Sequence, residues 1–408
     1  MPHHKFRQAR VFLIAAAKML LPLQPAALAQ GNAAPDLALH QRLIAIDSHV
    51  DLPSEPERID VPSAGSQFDI ASARRGGITA VALAIFAPQD DDTPAKRAAA
   101  KALAQRKYRA IVNVVAAHPD EAVIATSPHQ VRAAKASGLI AIIPSFLNAY
   151  TLDGLADIDL WAGRGVQVFG FVHAGHNAYA DSSRPAFPRG DGPSRHGGLS
   201  ELGKQAVARL NDLGVLIDVS QLSSAALRDT LALTRAPVVA SHSSVAALVP
   251  VSRNLTDGEL DLIKANGGVV QINAFSAYLR KDRPETTSAI AALQAEFALD
   301  AAGNPPLDEA RRAEYTRRYY AIRAGEPNAT LAEFVDHIDF AVKRIGIDHV
   351  GISSDFNHGG GVIGWANIAE SANITAELQR RGYTDADIAK LWGENFLRVW
   401  QAAKGAAR

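Results

Sequence analysis

A closed (β/α)8 barrel is the fold class that this sequence predicts, on three observations. Short apolar or β-branched runs recur eight times, helical patterns fill the intervals, and no Gly-x-Gly-x-x-Gly follows the first run. Buried strands alternating with amphipathic helices imply a parallel sheet, and eight such units suit a closed barrel better than an open doubly wound sheet. The missing glycine fingerprint removes the main support for dinucleotide binding. With 408 residues, 48% of them hydrophobic and 21% charged, the chain can bury a core of that size.

In chain order the runs are Leu43 to His49, Ile78 to Phe86, Leu139 to Phe146, Val166 to His173, Val215 to Ser220, Pro237 to Ser243, Val269 to Phe275 and His349 to Phe356. Each is short, apolar and bounded by turn residues or a helical pattern, as a strand buried on both faces should be. Their C-terminal ends carry the polar residues. His49 and Asp51 follow the first, Asn148 the third, and His173 with His176 the fourth. Ser220 and Gln221 end the fifth, Ser241, His242 and Ser243 the sixth, Asn273 the seventh, and Asp355, Asn357 and His358 the eighth. In a barrel these ends share one rim, where residues distant in sequence converge. A structural origin for so many polar ends is disfavoured, because each buried polar group left without a partner costs about 1–3 kcal/mol.

The flanking segments are read as follows. Residues 1–29 have a basic start (Lys5, Arg7, Arg10), an apolar run from Val11 to Leu23 and a small-residue cleavage site at Ala27-Leu28-Ala29, the pattern of a secretory signal peptide. The mature protein is then expected to be periplasmic or secreted. Residues 30–408 are expected to form a single barrel domain. Around 280–328 the chain is longer than one crossover needs, and "LDEARRAEYTRRYYAIRAG" is a charged helix with an aromatic stripe, more often a packing face than a ligand box; the segment reads as an inserted lid or partner surface. "VSRNLTDGEL" opens a helix with Thr256 as its cap. Lys+Arg and Asp+Glu are both 42, which gives no electrostatic footprint for nucleic acid or an anionic membrane. No cysteine is present, so any metal falls to His, Asp and Glu.

"AIDSHVDLP" carries the most specific chemistry. Side chains two apart on a strand share a face, so His49 and Asp51 can grip one cation, imidazole nitrogen beside carboxylate oxygen. "VVASHSS" and "GISSDF" add His242 and Asp355 at two further strand ends of the same rim.

These residues carry a family resemblance. From about Ala45 to Trp400 the chain resembles the membrane dipeptidase (renal dipeptidase-like) metallopeptidases, through "DSHVDLP", "FVHAGHNAYADSS", "GLSELGKQAVARLNDLGVLIDVSQLS", "PVVASHSSVAALVPVSRNLTDGELDLIKANGGVVQINAF", "HVGISSDF" and "LWGENFLRVW". The resemblance implies a barrel of the amidohydrolase type that hydrolyses the amide bond of dipeptides with two bridged zinc ions. It further implies metal ligation by His49, Asp51 and His242, and a role for His173 in polarising the scissile carbonyl or holding the oxyanion. Arg253 would pair with the substrate's terminal carboxylate, for which a guanidinium fork is suited. Asp355 would be the acid/base.

Two positions depart from the family pattern. Leu147 in "PSFLNAY" stands where the family has its bridging glutamate, and Gln221 in "DVSQLS" stands where it has a histidine. The expectation is one zinc ion rather than two, held by His49, Asp51 and His242 with Asp355 available as a further ligand. Gln221 and Asn148 are then expected to bind substrate with His173 and Arg253, whereas His176, His196 and His358 read as solvated loop residues. The expected partner is a small peptide-like substrate with a free carboxylate, with a homodimer left open. Two other functions fit the same barrel: a tailoring enzyme acting on a peptide-like metabolite with little or no metal, and a non-catalytic binding protein.

Overall fold

The computed structural model describes residues 37–60, 65–299 and 306–408; the leader assigned to residues 1–29 lies outside them. Nine strands form one sheet: β1 (Ile46–Asp51), β2 (Ala80–Phe86), β3 (Ala122–Ile124), β4 (Ile140–Leu147), β5 (Val168–Gly170), β6 (Leu216–Asp218), β7 (Val239–Ala240), β8 (Val269–Asn273) and β9 (Val350–Ser353). Eight run in parallel in the order β1-β2-β4-β5-β6-β7-β8-β9, and β3 pairs only with β4, outside the ring. The ring closes between its ends. Val50 bridges Phe356, the Asp51 amide donates to the Phe356 carbonyl at 2.9 Å, and the Asp355 amide donates to the His49 carbonyl at 3.1 Å. The predicted barrel is therefore observed, with β3 as an addition too short to be told from a loop by its pattern.

Strands β5, β6 and β7 are shorter than the apolar runs that announced them. Their polar ends leave the ladder because side chains supply the hydrogen bonds instead. Asp218 Oδ1 accepts from the backbone N–H groups of Ser220 and Ser241, both at 2.9 Å.

A bulge in β1 decides which of its residues face inward. Ile46 pairs with Ala80 and Asp47 with Val81, but then Val50 pairs with Leu83 and Asp51 with Ala84. Two residues, Ser48 and His49, thus oppose the single Ala82. Ile46 packs with Ala80 and Ala82, while Ala84 packs with Phe86 and Leu147. Simple alternation from Ile46 would point Val50 into the barrel; the extra residue reverses the phase and delivers His49 and Asp51 instead, a use of bulges common beside active sites.

Helices cover the outside, and none of those described is long and apolar enough to cross a membrane. The helix Pro94–Ala117, capped by Thr93, buries Ala100, Ala104, Lys107, Ala110, Ile111 and Val114. That spacing places Lys107 on the apolar stripe. Thr256 caps the helix Asp257–Ala265 through a capping box with Glu259, as the sequence indicates. The segment 280–328 supplies two helices, Pro284–Glu296 and Glu309–Arg323, which bury Leu293, Phe297, Leu299 and Leu307 against Phe187, Tyr315, Tyr319 and Ile322. The aromatic stripe is a packing face. Arg312 ties this pair to the barrel's loops through Asp91, at 2.7 Å.

Candidate active site

One pocket at the C-terminal rim is lined by His49, Asp51, Leu147, His173, Arg184, Gln221, His242, Arg253, Tyr278, Asp355 and His358. Backbone strain is concentrated there. Gln221 and Asp355 hold φ of 69° and 59°, and neighbouring Asn148 and Asn357 hold 77° and 65°. Left-handed backbone costs a non-glycine residue about 1–2 kcal/mol, so four such residues just beyond strand ends mark a site whose geometry overrides local preference.

The metal question turns on three side chains. His49 Nε2 lies 3.4 Å from Asp51 Oδ2, and both His49 Nε2 and Asp51 Oδ1 are buried without a hydrogen-bond partner. Asp355 completes a buried trio whose donor atoms lie within 4.8 Å of one another, while its Oδ2 accepts from Asn273 Nδ2 at 3.1 Å. One imidazole and two carboxylates suit a divalent ion. Orphaned donors would otherwise be costly.

His242 is placed differently from the expectation that it ligates the same ion. Its ring stacks on His49 with centroids 3.8 Å apart and planes at 12°, and its nitrogens are engaged. Ser241 Oγ donates to Asp218 Oδ2 at 2.5 Å, so at its 2.7 Å contact with His242 Nδ1 it must accept, which puts the imidazole proton on Nδ1. The Nε2 lone pair then receives Gln221 Nε2–H at 3.0 Å. Gln221 Oε1 in turn accepts from Arg184 Nη2 at 2.8 Å. Leu147 sits against Phe86, Ala84 and the Cα of Gly170, where a Cβ would meet Leu147 Cδ1 at 2.9 Å. The positions where further metal ligands were sought hold a leucine and an imidazole whose lone pair is capped.

Charge is arranged around Asp51. Burial alone would raise its carboxyl, but His358, His49 and Lys107 outweigh that and hold it at about 2. Lys107 Nζ stands 4.0 Å from Asp51 Oδ1 and 5.3 Å over the Phe86 ring. Burial pushes the Lys107 ammonium down while Asp51 opposes the shift. Burial also lowers His49, but the Asp51 carboxylate 3.4 Å away prevails and the imidazole ends above its ordinary value. His242 and His173 fall well below theirs, through burial first and then the cations beside them. His358 is exposed, as expected of a loop residue, and also lines the mouth of the pocket 3.9 Å from Asp51 Oδ2 and edge-on to His173.

Arg253 is buried, its Nη1 donating to Ser243 Oγ at 2.9 Å, its Nη2 to the His242 carbonyl, with its guanidinium 5.5 Å over the Tyr278 ring. Burial lowers it to about 10. The expectation that Asn148 binds substrate is corrected. Fully buried and outside the pocket, it donates to the Ala87 carbonyl at 3.1 Å and accepts from Asn177 at 3.2 Å, bracing the turn after β4. His176, expected in solvent, is also buried, accepting from the Ser182 amide at 3.0 Å. His196 bonds the Asn177 carbonyl at 2.8 Å.

Sequence reasoning missed Lys107, Arg184 and Tyr278. Lys107 was legible as a lysine on an apolar helical stripe. Arg184 lies in an irregular segment and Tyr278 in the single helical turn Ser276–Leu279, both too short for periodicity to reveal them.

Comparisons with known proteins agree with this geometry. Residues 35–408 match the family model "Membrane dipeptidase (Peptidase family M19)". Dipeptidase aclJ of Aspergillus oryzae is 34% identical over 245 residues, covering 60% of this chain and 47% of that protein. Dipeptidase verJ of Clonostachys rogersoniana is 32% identical over 244 residues, covering 59% and 49%. The matched stretches thus span about half the length of these relatives. The crystal structure of the probable dipeptidase PvdM from Pseudomonas aeruginosa superposes with a TM-score of 0.85 at 45% identity, covering 91% of this chain and 98% of that one. A Rhodobacter sphaeroides metallo peptidase, solved with a phosphinate mimic of L-Ala-D-Ala, shares the fold at 23% identity, with a TM-score of 0.69 and coverage of 88% and 99%. A family match across nearly the whole barrel, with the metal-fit trio at its rim, leads to one conclusion: this chain belongs to the membrane dipeptidase family of peptidases.

Proposed function

We propose that the protein hydrolyses the amide bond of dipeptides, or of small dipeptide-like amides with a free carboxylate, using one zinc ion held by His49, Asp51 and Asp355. The observation that carries this reading is the pair of buried, unpartnered donors, His49 Nε2 and Asp51 Oδ1, converging with Asp355 beside a buried arginine. A divalent ion held there would supply Lewis acidity, lowering the pKa of water to about 7. The chain's own residues do the rest. Arg253 holds the substrate's carboxylate, with the Tyr278 ring and Ser243 fixing the guanidinium plane. Asp355, steadied by Asn273, takes a proton from the attacking water and returns it to the leaving amine. Leu147 and Phe86 keep bulk water from the reacting carbonyl. The test is turnover of a dipeptide panel before and after chelation, with metal content measured in parallel. Activity that follows the metal supports the reading.

A second reading is favoured by the Gln221 cap on His242 and by Leu147. It is a tailoring enzyme on a peptide-like metabolite that uses Asp355, His173 and His242 for proton transfer without an ion. Activity that survives exhaustive chelation would select it. For residues 1–29 we propose a cleaved leader and a periplasmic or secreted mature protein, which N-terminal sequencing of the processed chain checks.

A further inference from the structure

Arg184 is a cation without a counter-ion. Its Nη2 donates to Gln221 Oε1 at 2.8 Å and to His173 Nε2 at 3.2 Å, and its Nη1 donates to Tyr278 Oη at 3.0 Å. All three partners are neutral acceptors. Its Nε is buried without a hydrogen-bond partner, and among the described residues no carboxylate forms an ion pair with it. The guanidinium is thus oriented from three sides while its charge stays uncompensated in the pocket.

The same contacts redefine His173. A guanidinium has no acceptor, so the nitrogen that faces it must carry a lone pair. His173 Nε2 is therefore unprotonated, and the ring's one N–H is on Nδ1. The imidazole nitrogen turned toward Arg184 has no proton to offer a carbonyl. The donor on that side is the guanidinium itself, and His173 is one of its supports. Gln221 suits the arrangement for the same reason: its carbonyl accepts from Arg184 while its amide N–H satisfies His242 Nε2.

We propose that Arg184 is the electrophile of the site, polarising the scissile carbonyl and stabilising the oxyanion, with His173, Gln221 and Tyr278 as its positioning residues. The proposal rests on the hydrolase reading above. Water adds its oxygen to the carbonyl carbon as Asp355 takes its proton, and the carbonyl π pair moves onto oxygen, where Arg184 faces the new charge. The oxyanion then re-forms the double bond, the C–N bond breaks, and the nitrogen receives the proton from Asp355, giving a carboxylic acid and an amine; the acid's proton passes to the amine, so a carboxylate and an ammonium leave. A fixed cation aimed at developing charge in a water-poor site is the arrangement electrostatic catalysis requires.

The test compares the wild type with Arg184→Met, Arg184→Lys and His173→Asn on alanylalanine, and on a phosphinate analogue of it, whose tetrahedral anion copies the intermediate. Arg184→Met should lower kcat by about 10²–10³-fold with KM within about three-fold, and weaken phosphinate binding by a similar factor. Zinc content should not change. Arg184→Lys should recover part of the kcat loss, and His173→Asn should cost less than Arg184→Met. Arg184→Met with kcat within about three-fold of wild type, or with phosphinate and substrate weakened equally, overturns the proposal. So does a larger loss in His173→Asn. Wild-type protein that neither hydrolyses alanylalanine nor binds the phosphinate overturns the hydrolase reading and this one together, whereas turnover indifferent to Arg184 overturns this one alone.

Discussion

Lys107→Met should tighten zinc binding. The ammonium stands 4.0 Å from Asp51 Oδ1, one of the two orphaned donors of the proposed metal site, and is buried with it. At an effective dielectric of about 20, two unit charges at that separation attract by roughly 4 kcal/mol. An ion taking Asp51 as ligand gives up part of that attraction and also meets the repulsion of a second cation. Methionine keeps the volume and the contact with Phe86 but removes the competitor. A gain between about ten-fold and a thousand-fold in zinc affinity follows, since each ~1.4 kcal/mol is a factor of ten. In chelator the variant should melt below wild type, because Asp51 loses a neutralising partner in a buried site. Zinc should then raise its melting temperature by more than it raises that of the wild type. Competition with a chromophoric chelator at pH 7.5 gives the affinity, and thermal unfolding with and without zinc gives the linkage. Equal or weaker zinc binding in Lys107→Met would refute the view that this lysine competes for Asp51.

Three further outcomes are expected. Burial lowers His40 from 6.5 to about 4 in the folded state, although its Nε2 bonds the Gly76 carbonyl at 2.7 Å. The unfolded chain therefore binds this proton first, so the stability it contributes is complete above pH 6.5 and is lost as pH falls toward 4. The loss is roughly 3 kcal/mol at about 1.36 kcal/mol per pH unit, and urea unfolding across pH 7.5 to 4.5 should show it shrinking in His40→Gln. Ser241→Ala breaks the chain from Asp218 to His242 and should cost about 1–3 kcal/mol in urea unfolding at neutral pH; an unchanged midpoint would show that the chain is not needed. If Arg253 reads a carboxylate, an amidated dipeptide should have a KM at least about ten-fold above that of the free acid, as loss of a charge-assisted pair of ~1.5–3 kcal/mol implies; equal values would remove that role.

The barrel was legible because its strands are buried on both faces and leave continuous apolar runs. Their polar ends gave the rim, and His49, Asp51, Asp355, Arg253, Gln221 and His242 all line one pocket. Hydrogen-bond assignment was not legible. Whether His242 offers a lone pair to an ion or to Gln221 depends on Asp218, Ser241 and Arg184 acting together from three separate segments, and no spacing encodes that. Asn148 ends its strand as the other site residues do, yet its side chain is spent on the Ala87 carbonyl and the Asn177 amide. The bulge at Ser48 and His49 was invisible for a related reason: the alternation rule holds within a regular strand, and here an insertion reverses it.

Anomalous diffraction at the zinc edge, from crystals grown with excess zinc, tests the central claim most directly. The account predicts one peak per chain, about 2.0–2.2 Å from His49 Nε2 and from oxygens of Asp51 and Asp355, with His242 Nε2 still facing the Gln221 amide. A second peak on His242, or no peak between His49 and Asp51, would contradict it.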